Sequence, residues 1–140
     1  MYCIGIDTGK NTGVAVWDTD QQRFVSLSTV PIHKAFEIVM ACSTRGPVRV
    51  YFEDARQRRF LPREANVSEY RGKLMGAGSV KRDAVIWQDA LTDWQIPFQM
   101  IPPRAGMTKW TAEQFSRVTG WTGRTSNHAR DAAMLVFGRK

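Results

Sequence analysis

Three short stretches hold side chains able to do chemistry. Gly5-Ile6-Asp7-Thr8-Gly9-Lys10-Asn11-Thr12-Gly13 sets a carboxylate at the end of an apolar run and follows it with a glycine-bearing turn. Val48-Arg49-Val50-Tyr51-Phe52-Glu53 ends a second apolar run on another acid. In Ser126-Asn127-His128-Ala129-Arg130-Asp131 an imidazole and a carboxylate stand three residues apart, which on a helix gives one face and Cβ atoms roughly 5–6 Å apart. Asp7 opens two chemistries: half of a proton-sharing carboxylate dyad, or a metal ligand on the first strand of a sheet. If the strands ending in Asp7 and Glu53 are neighbours, their repulsion must be relieved by protons or by cations. Three carboxylates and one imidazole brought together would suit Mg²⁺ or Mn²⁺, which prefer oxygen ligands. Each residue alone also has a plainer role. Asp7 can bond its own turn, Glu53 can end an edge strand in solvent, His128 can cap a helix, and Asp131 can pair with Arg130 or Arg124.

The elements that must position these groups follow from the pattern of apolar residues. Cys3 to Ile6 and Gly13 to Asp18 read as two strands joined by a hairpin, and Arg23 to Val30 as a third after a turn at Asp18 to Gln22. Ile32, Phe36, Val39 and Met40 form a helical stripe after Pro31, ended by Arg45-Gly46-Pro47. Val48 to Glu53 returns as a strand. Asp54 to Gly78 lacks periodicity and is expected as a long loop. From a cap at Ser79, the residues Val80, Ala84, Trp87, Leu91 and Trp94 predict an amphipathic helix, its stripe read mainly as core. Pro97 to Ile101 is a last strand, stopped by Pro102-Pro103. Lys109 to Val118 is expected to be helical, as is Asn127 to Phe137 with a cap at Ser126 or Asn127. Meander strands followed by alternating helices and strands predict a mixed sheet with helices on its faces, in one domain spanning residues 1–140.

Composition narrows the function classes. The chain of 140 residues is 43% hydrophobic, enough for one domain with a sizeable core and too short for two ordinary ones. No apolar run approaches the ~20 residues of a membrane span. Met1-Tyr2-Cys3 lacks the basic and apolar regions of a signal peptide, so the expected compartment is the cytoplasm. Cys3 and Cys42 have no metal-like spacing and read as free thiols. Twenty Lys and Arg against 13 Asp and Glu leave a net charge of +7, which favours a polyanionic partner.

Taken in order, GIDTGKNTGVAVWD, VYFED, GAGSVKRDA and SNHARDAAMLV resemble the RuvC-type Holliday junction resolvases of the RNase H-like superfamily, and most closely their short phage-borne versions. The resemblance implies an RNase H-like α/β fold with a five-stranded mixed sheet. It implies a homodimeric, Mg²⁺-dependent endonuclease (Mn²⁺ substituting) in a bacterial or phage-infected cytoplasm, making paired nicks in four-way DNA junctions. Such hydrolysis leaves a 5′-phosphate and a 3′-hydroxyl, with metal ions activating water and relieving charge on the attacking and leaving oxygens. On this likeness Asp7, Glu53, His128 and Asp131 match the catalytic and metal-binding set, and Lys109 matches a basic residue before the last helix. His128 could ligate a metal or manage a proton. The family often carries an aromatic wedge soon after the strand-ending Glu. Here the sequence reads Glu53-Asp54-Ala55-Arg56, with Phe60 the nearest candidate.

Arg56, Arg58, Arg59 and Arg63 crowd beyond Glu53 around Phe60, and Arg71 and Lys73 follow. Beside a nuclease site these residues read as a phosphate-gripping segment, with Phe60 or Tyr70 available for stacking. Lys81 and Arg82, expected at a helix start, would add phosphate contacts. Three other readings compete. An aspartic protease would be β-rich and gain nothing from excess arginine. A sugar-kinase-like fold needs two domains. A module of the same superfamily that grips branched nucleic acid without cutting would leave crowded carboxylates uncompensated. The chemistry on other branched DNA or RNA substrates is the remaining alternative, since fold and metals do not specify the nucleic acid.

Overall fold

The structure is a computed structural model that describes residues 1–54, 67–102 and 109–140, with backbone only for 67–77 and 80. Among the described residues are five strands and four helices: β1 (Tyr2–Asp7), β2 (Asn11–Asp18), β3 (Arg23–Pro31), α1 (Ile32–Ser43), β4 (Val48–Glu53), α2 (Val67–Asp93), β5 (Phe98–Ile101), α3 (Ala112–Thr119) and α4 (Asn127–Met134). The strands form one mixed sheet in the order β3-β2-β1-β4-β5. β1, β2 and β3 are an antiparallel meander, whereas β4 runs parallel to β1 and β5 parallel to β4. The central pair therefore has covers on both faces, which is why its sequence is nearly unbroken in apolar residues.

One face buries Ile4, Ile6, Val14, Val16, Val50 and Phe52 against Ala35 and Val39 of α1 and Ala84, Trp87 and Leu91 of α2. The opposite face buries Cys3, Ala15, Trp17, Phe24 and Tyr51 against Phe115 of α3 and Ala132, Ala133 and Val136 at and after α4. Side chains alternate along a strand, so Asp7, in phase with Cys3, and Glu53, in phase with Tyr51, belong to the face covered by α3 and α4.

Several boundaries differ from expectation. α2 occupies part of the stretch expected as loop, and Ser79 is an exposed position inside it rather than its cap. Glu69, Arg71, Lys73, Leu74, Met75 and Ala77 are good helix formers, but Gly72, Gly76 and Gly78 offset them, so this half continues α2 from its packed half rather than on its own propensity. Lys81 and Arg82 are consequently exposed mid-helix cations without the helix-start amides proposed for them. Met40 is exposed while Ala35 takes the core position on α1. Trp94 follows the end of α2 and is 38% exposed, its ring edge-on to Phe36 at 5.5 Å. α3 is set by a capping box at Thr111 with Gln114 and closed by Gly120 at φ 75°. α4 takes Ser126 as its cap and ends at Met134, short of Phe137.

Candidate functional site

Asp7 and Glu53 emerge at the carboxyl ends of adjacent parallel strands, one residue past the Ile6–Phe52 pair. α4 crosses above this point because two glycines admit it. A Cβ on Gly5 would stand 2.0 Å from the Ala132 carbonyl oxygen, and one on Gly13 would stand 2.1 Å from that of His128. The helix contributes small residues in return, with Ala129, Ala132 and Ala133 all buried. Gly13 is the register partner of Asp7, so the first turn of α4 is laid directly beside the carboxylate.

The result is a contact between residues 121 positions apart: His128 Nδ1 and Asp7 Oδ2 are separated by 2.8 Å. An ionised carboxylate only accepts, so Nδ1–H donates to it, and the neutral ring then keeps its lone pair on Nε2. Burial pushes the Asp7 carboxyl above the ordinary aspartate value. The hydrogen bond from His128 opposes that rise, the Asp131 charge adds to it, and the charges of His128 and Lys109 oppose it. Asp131, one turn along α4, carries an ion pair to Lys109 at 3.3 Å. Of the sequence-derived set, Asp7, His128, Asp131 and Lys109 thus meet, with Glu53 at the neighbouring strand end. Among the described residues no three acidic, histidine or cysteine side chains stand close enough together to enclose a metal ion. Arg56, Arg58, Arg59, Phe60 and Arg63 lie outside the described residues, as do the side chains of Tyr70, Arg71 and Lys73.

Other positioning groups escaped sequence reasoning. Thr12 is fully buried and donates its hydroxyl to the Gly9 carbonyl at 2.8 Å, closing the turn that follows Asp7. Thr29 on β3 bonds Ser126, whose oxygen in turn accepts from Ala129 N at 3.1 Å, so the α4 cap is pinned to the sheet. Arg130 does not pair with Asp131. Its Nη1 donates to the Thr125 carbonyl and hydroxyl, each at 2.8 Å, and its Nε to the Trp110 carbonyl at 3.1 Å, tying α4 to both ends of the α3 segment. A glycine inside an apolar strand, as in Cys3-Ile4-Gly5-Ile6, is the one signal that announces a close backbone approach. Lone Thr and Arg residues in polar segments announce nothing.

Arg130→Ala should leave these carbonyls without their charged donor and cost about 2 kcal/mol. Urea melts that match the parent midpoint would show the guanidinium to be dispensable. No protein-family model matches this chain, and no curated protein matches it.

Proposed function

We propose that this chain is a divalent-cation-dependent endonuclease of the RuvC type, on an RNase H-like fold, that resolves four-way DNA junctions by paired nicks as a homodimer. The observation that carries the reading is the 2.8 Å contact of Asp7 with His128, with Asp131 close enough to raise the Asp7 carboxyl. The sheet order β3-β2-β1-β4-β5, with an acid ending each of its two central parallel strands, supports the fold assignment. A two-fold dimer would supply two equivalent sites for the two nicks.

The donor set fits a hard dication. Asp7 is held in a desolvated place against a second carboxylate, an arrangement whose cost a cation removes. Asp7, Glu53 and Asp131 would hold Mg²⁺ or Mn²⁺ once drawn closer together than they stand in this structure, with His128 already in contact with Asp7. The bound metal would supply Lewis acidity toward the phosphate and an acidified water.

The chain's own residues do the rest. Asp7 orients the His128 ring through Nδ1, which leaves Nε2 to take up a proton or to ligate. Lys109, exposed beside Asp131, would present a cation to the developing phosphate charge. The net charge of +7 supports a nucleic-acid substrate, to which Lys81 and Arg82 would present exposed cations from α2.

The test is a labelled, immobile four-way junction set beside linear duplex, flap and RNA–DNA hybrid, each with Mg²⁺ or EDTA. Symmetric nicks confined to the junction and to the Mg²⁺ arm are the expected result. Binding without cleavage in either Mg²⁺ or Mn²⁺ would overturn the nuclease reading in favour of a binding module. Cleavage of another substrate would overturn the junction assignment and keep the chemistry.

A further inference from the structure

We propose that the groove between α3 and the connection from α3 to α4 is a track for the sugar–phosphate backbone flanking the reacting phosphate, with Arg117 and Arg124 as its phosphate-binding residues. This inference rests on the nuclease reading above. The groove has a volume of about 730 Å³, and its lining includes Glu113, Ser116, Arg117, Thr122, Arg124 and Thr125. Neither arginine makes an ion pair or a side-chain hydrogen bond among the described residues, and both are exposed. Glu113 also faces the groove, but from the first turn of α3 and without an ion pair to Arg117. Two unpaired guanidiniums with the Thr122 and Thr125 hydroxyls among them suit phosphate oxygens. They offer no ring on which a base could stack.

The walls are tied together by hydrogen bonds within the chain. Ser116 Oγ donates to the Trp121 carbonyl at 2.7 Å, and Trp121 N donates to Thr119 Oγ1 at 3.2 Å. Trp121 packs in the core beneath, and a Cβ on Gly123 would stand 2.9 Å from the Trp121 ring nitrogen, so the loop lies flat on the indole. At the other end Arg130 clamps Thr125. A surface braced by its own hydrogen bonds binds with less ordering cost than a loop that must settle. The groove also leads to the chemistry. Thr125 adjoins the Ser126 cap, and His128 follows in the first turn of α4.

The measurement is binding of a labelled junction and of a linear duplex in EDTA, by fluorescence anisotropy between about 50 and 200 mM salt. The comparison is between the parent chain, Arg117→Gln/Arg124→Gln, and the equal-charge control Arg45→Gln/Arg49→Gln at the far end of β4. The groove pair should lower the slope of log affinity against log salt by about two, alike for unrelated sequences, and the control pair should not. An unchanged slope in the groove pair would overturn the track, and so would an equal fall in the control, which would assign the effect to net charge. The two readings separate in the parent chain. Binding without Mg²⁺-dependent cleavage would sink the nuclease assignment and leave the track standing. Absence of binding would sink both.

Discussion

Asp7→Asn is expected to lower Mg²⁺-dependent cleavage by more than about 10³-fold, to leave junction binding in EDTA intact, and to raise Tm at neutral pH. The loss of activity follows from removing the one carboxylate that both faces the proposed cation site and orients His128. The gain in stability follows from the cost of charging that group in place. Burial, and then the neighbouring Asp131, hold its carboxyl above the usual value of 3.8. In the unfolded chain Asp7 ionises near 3.8, and in the folded chain at higher pH. Between those points the folded state binds the more protons, so its stability falls as pH rises through the window and the penalty is complete above it. An asparagine carries no such penalty and keeps an oxygen that can accept from His128. The Tm advantage of the variant should therefore be absent well below pH 3.8 and fully developed at pH 7. Retained turnover in the purified variant would remove Asp7 from the chemistry. Melting curves that coincide at pH 7 would show that its charge is not crowded.

The second large effect is expected from a single methyl group. In Gly13→Ala the new Cβ would lie 2.1 Å from the His128 carbonyl oxygen, whereas ordinary contact begins at 3.4 Å, a shortfall of 3.4 − 2.1 = 1.3 Å. The carbonyl is backbone and the backbone fixes where the Cβ stands, so neither a rotamer change nor a flexible side-chain tip can absorb the difference. α4 must lift from β2, parting His128 from Asp7 and opening the alanine face against the sheet. Overpacking of this severity should cost about 3 kcal/mol, or roughly 10 °C in Tm. A 1 Å displacement of a positioned group should also cost about 10²-fold in cleavage, measured far below the new Tm. Gly5→Ala, with its Cβ 2.0 Å from the Ala132 carbonyl, should destabilise to a similar degree from the other end of the helix. If alanine at position 13 left both Tm and cleavage in place, α4 would not rest on the strand backbone.

What the sequence announces and what it withholds divide along physical lines. Asp7 and Glu53 could be read as strand-end acids because central parallel strands must be apolar throughout, and a charge there stands out. His128 and Asp131 could be read as one helix face because helical spacing is fixed. The two-faced sheet followed from the order of the elements. The first half of α2 could not be read, since it holds Gly72, Gly76 and Gly78, shows no core-facing stripe in the sequence and is helical only as a continuation of the packed half. The placement of Lys81 and Arg82 failed with it. The Lys109–Asp131 pair, the Thr29–Ser126 bond and the Arg130 clamp join segments distant in sequence. No local pattern encodes such contacts, and only the likeness to a family pointed toward Lys109. Gly5 and Gly13 lie between. Their presence in apolar strands signals a close approach, but not what approaches.

The seat of α4 on two strand glycines also sets an order in time. β1 is made before α4 during synthesis, and α4, the helix that completes the site, carries His128, 121 residues after Asp7. Until that helix docks, the sheet face bearing Cys3, Ala15 and Tyr51 lacks one of its covers, and Asp7 has neither its imidazole partner nor Asp131 beside it. A nascent or prematurely stopped chain can fold its meander and still be chemically silent. Docking of α4 buries the remaining apolar face and assembles the reactive groups in the same event. The proposed nuclease activity would then be switched on only in molecules in which α4 has docked.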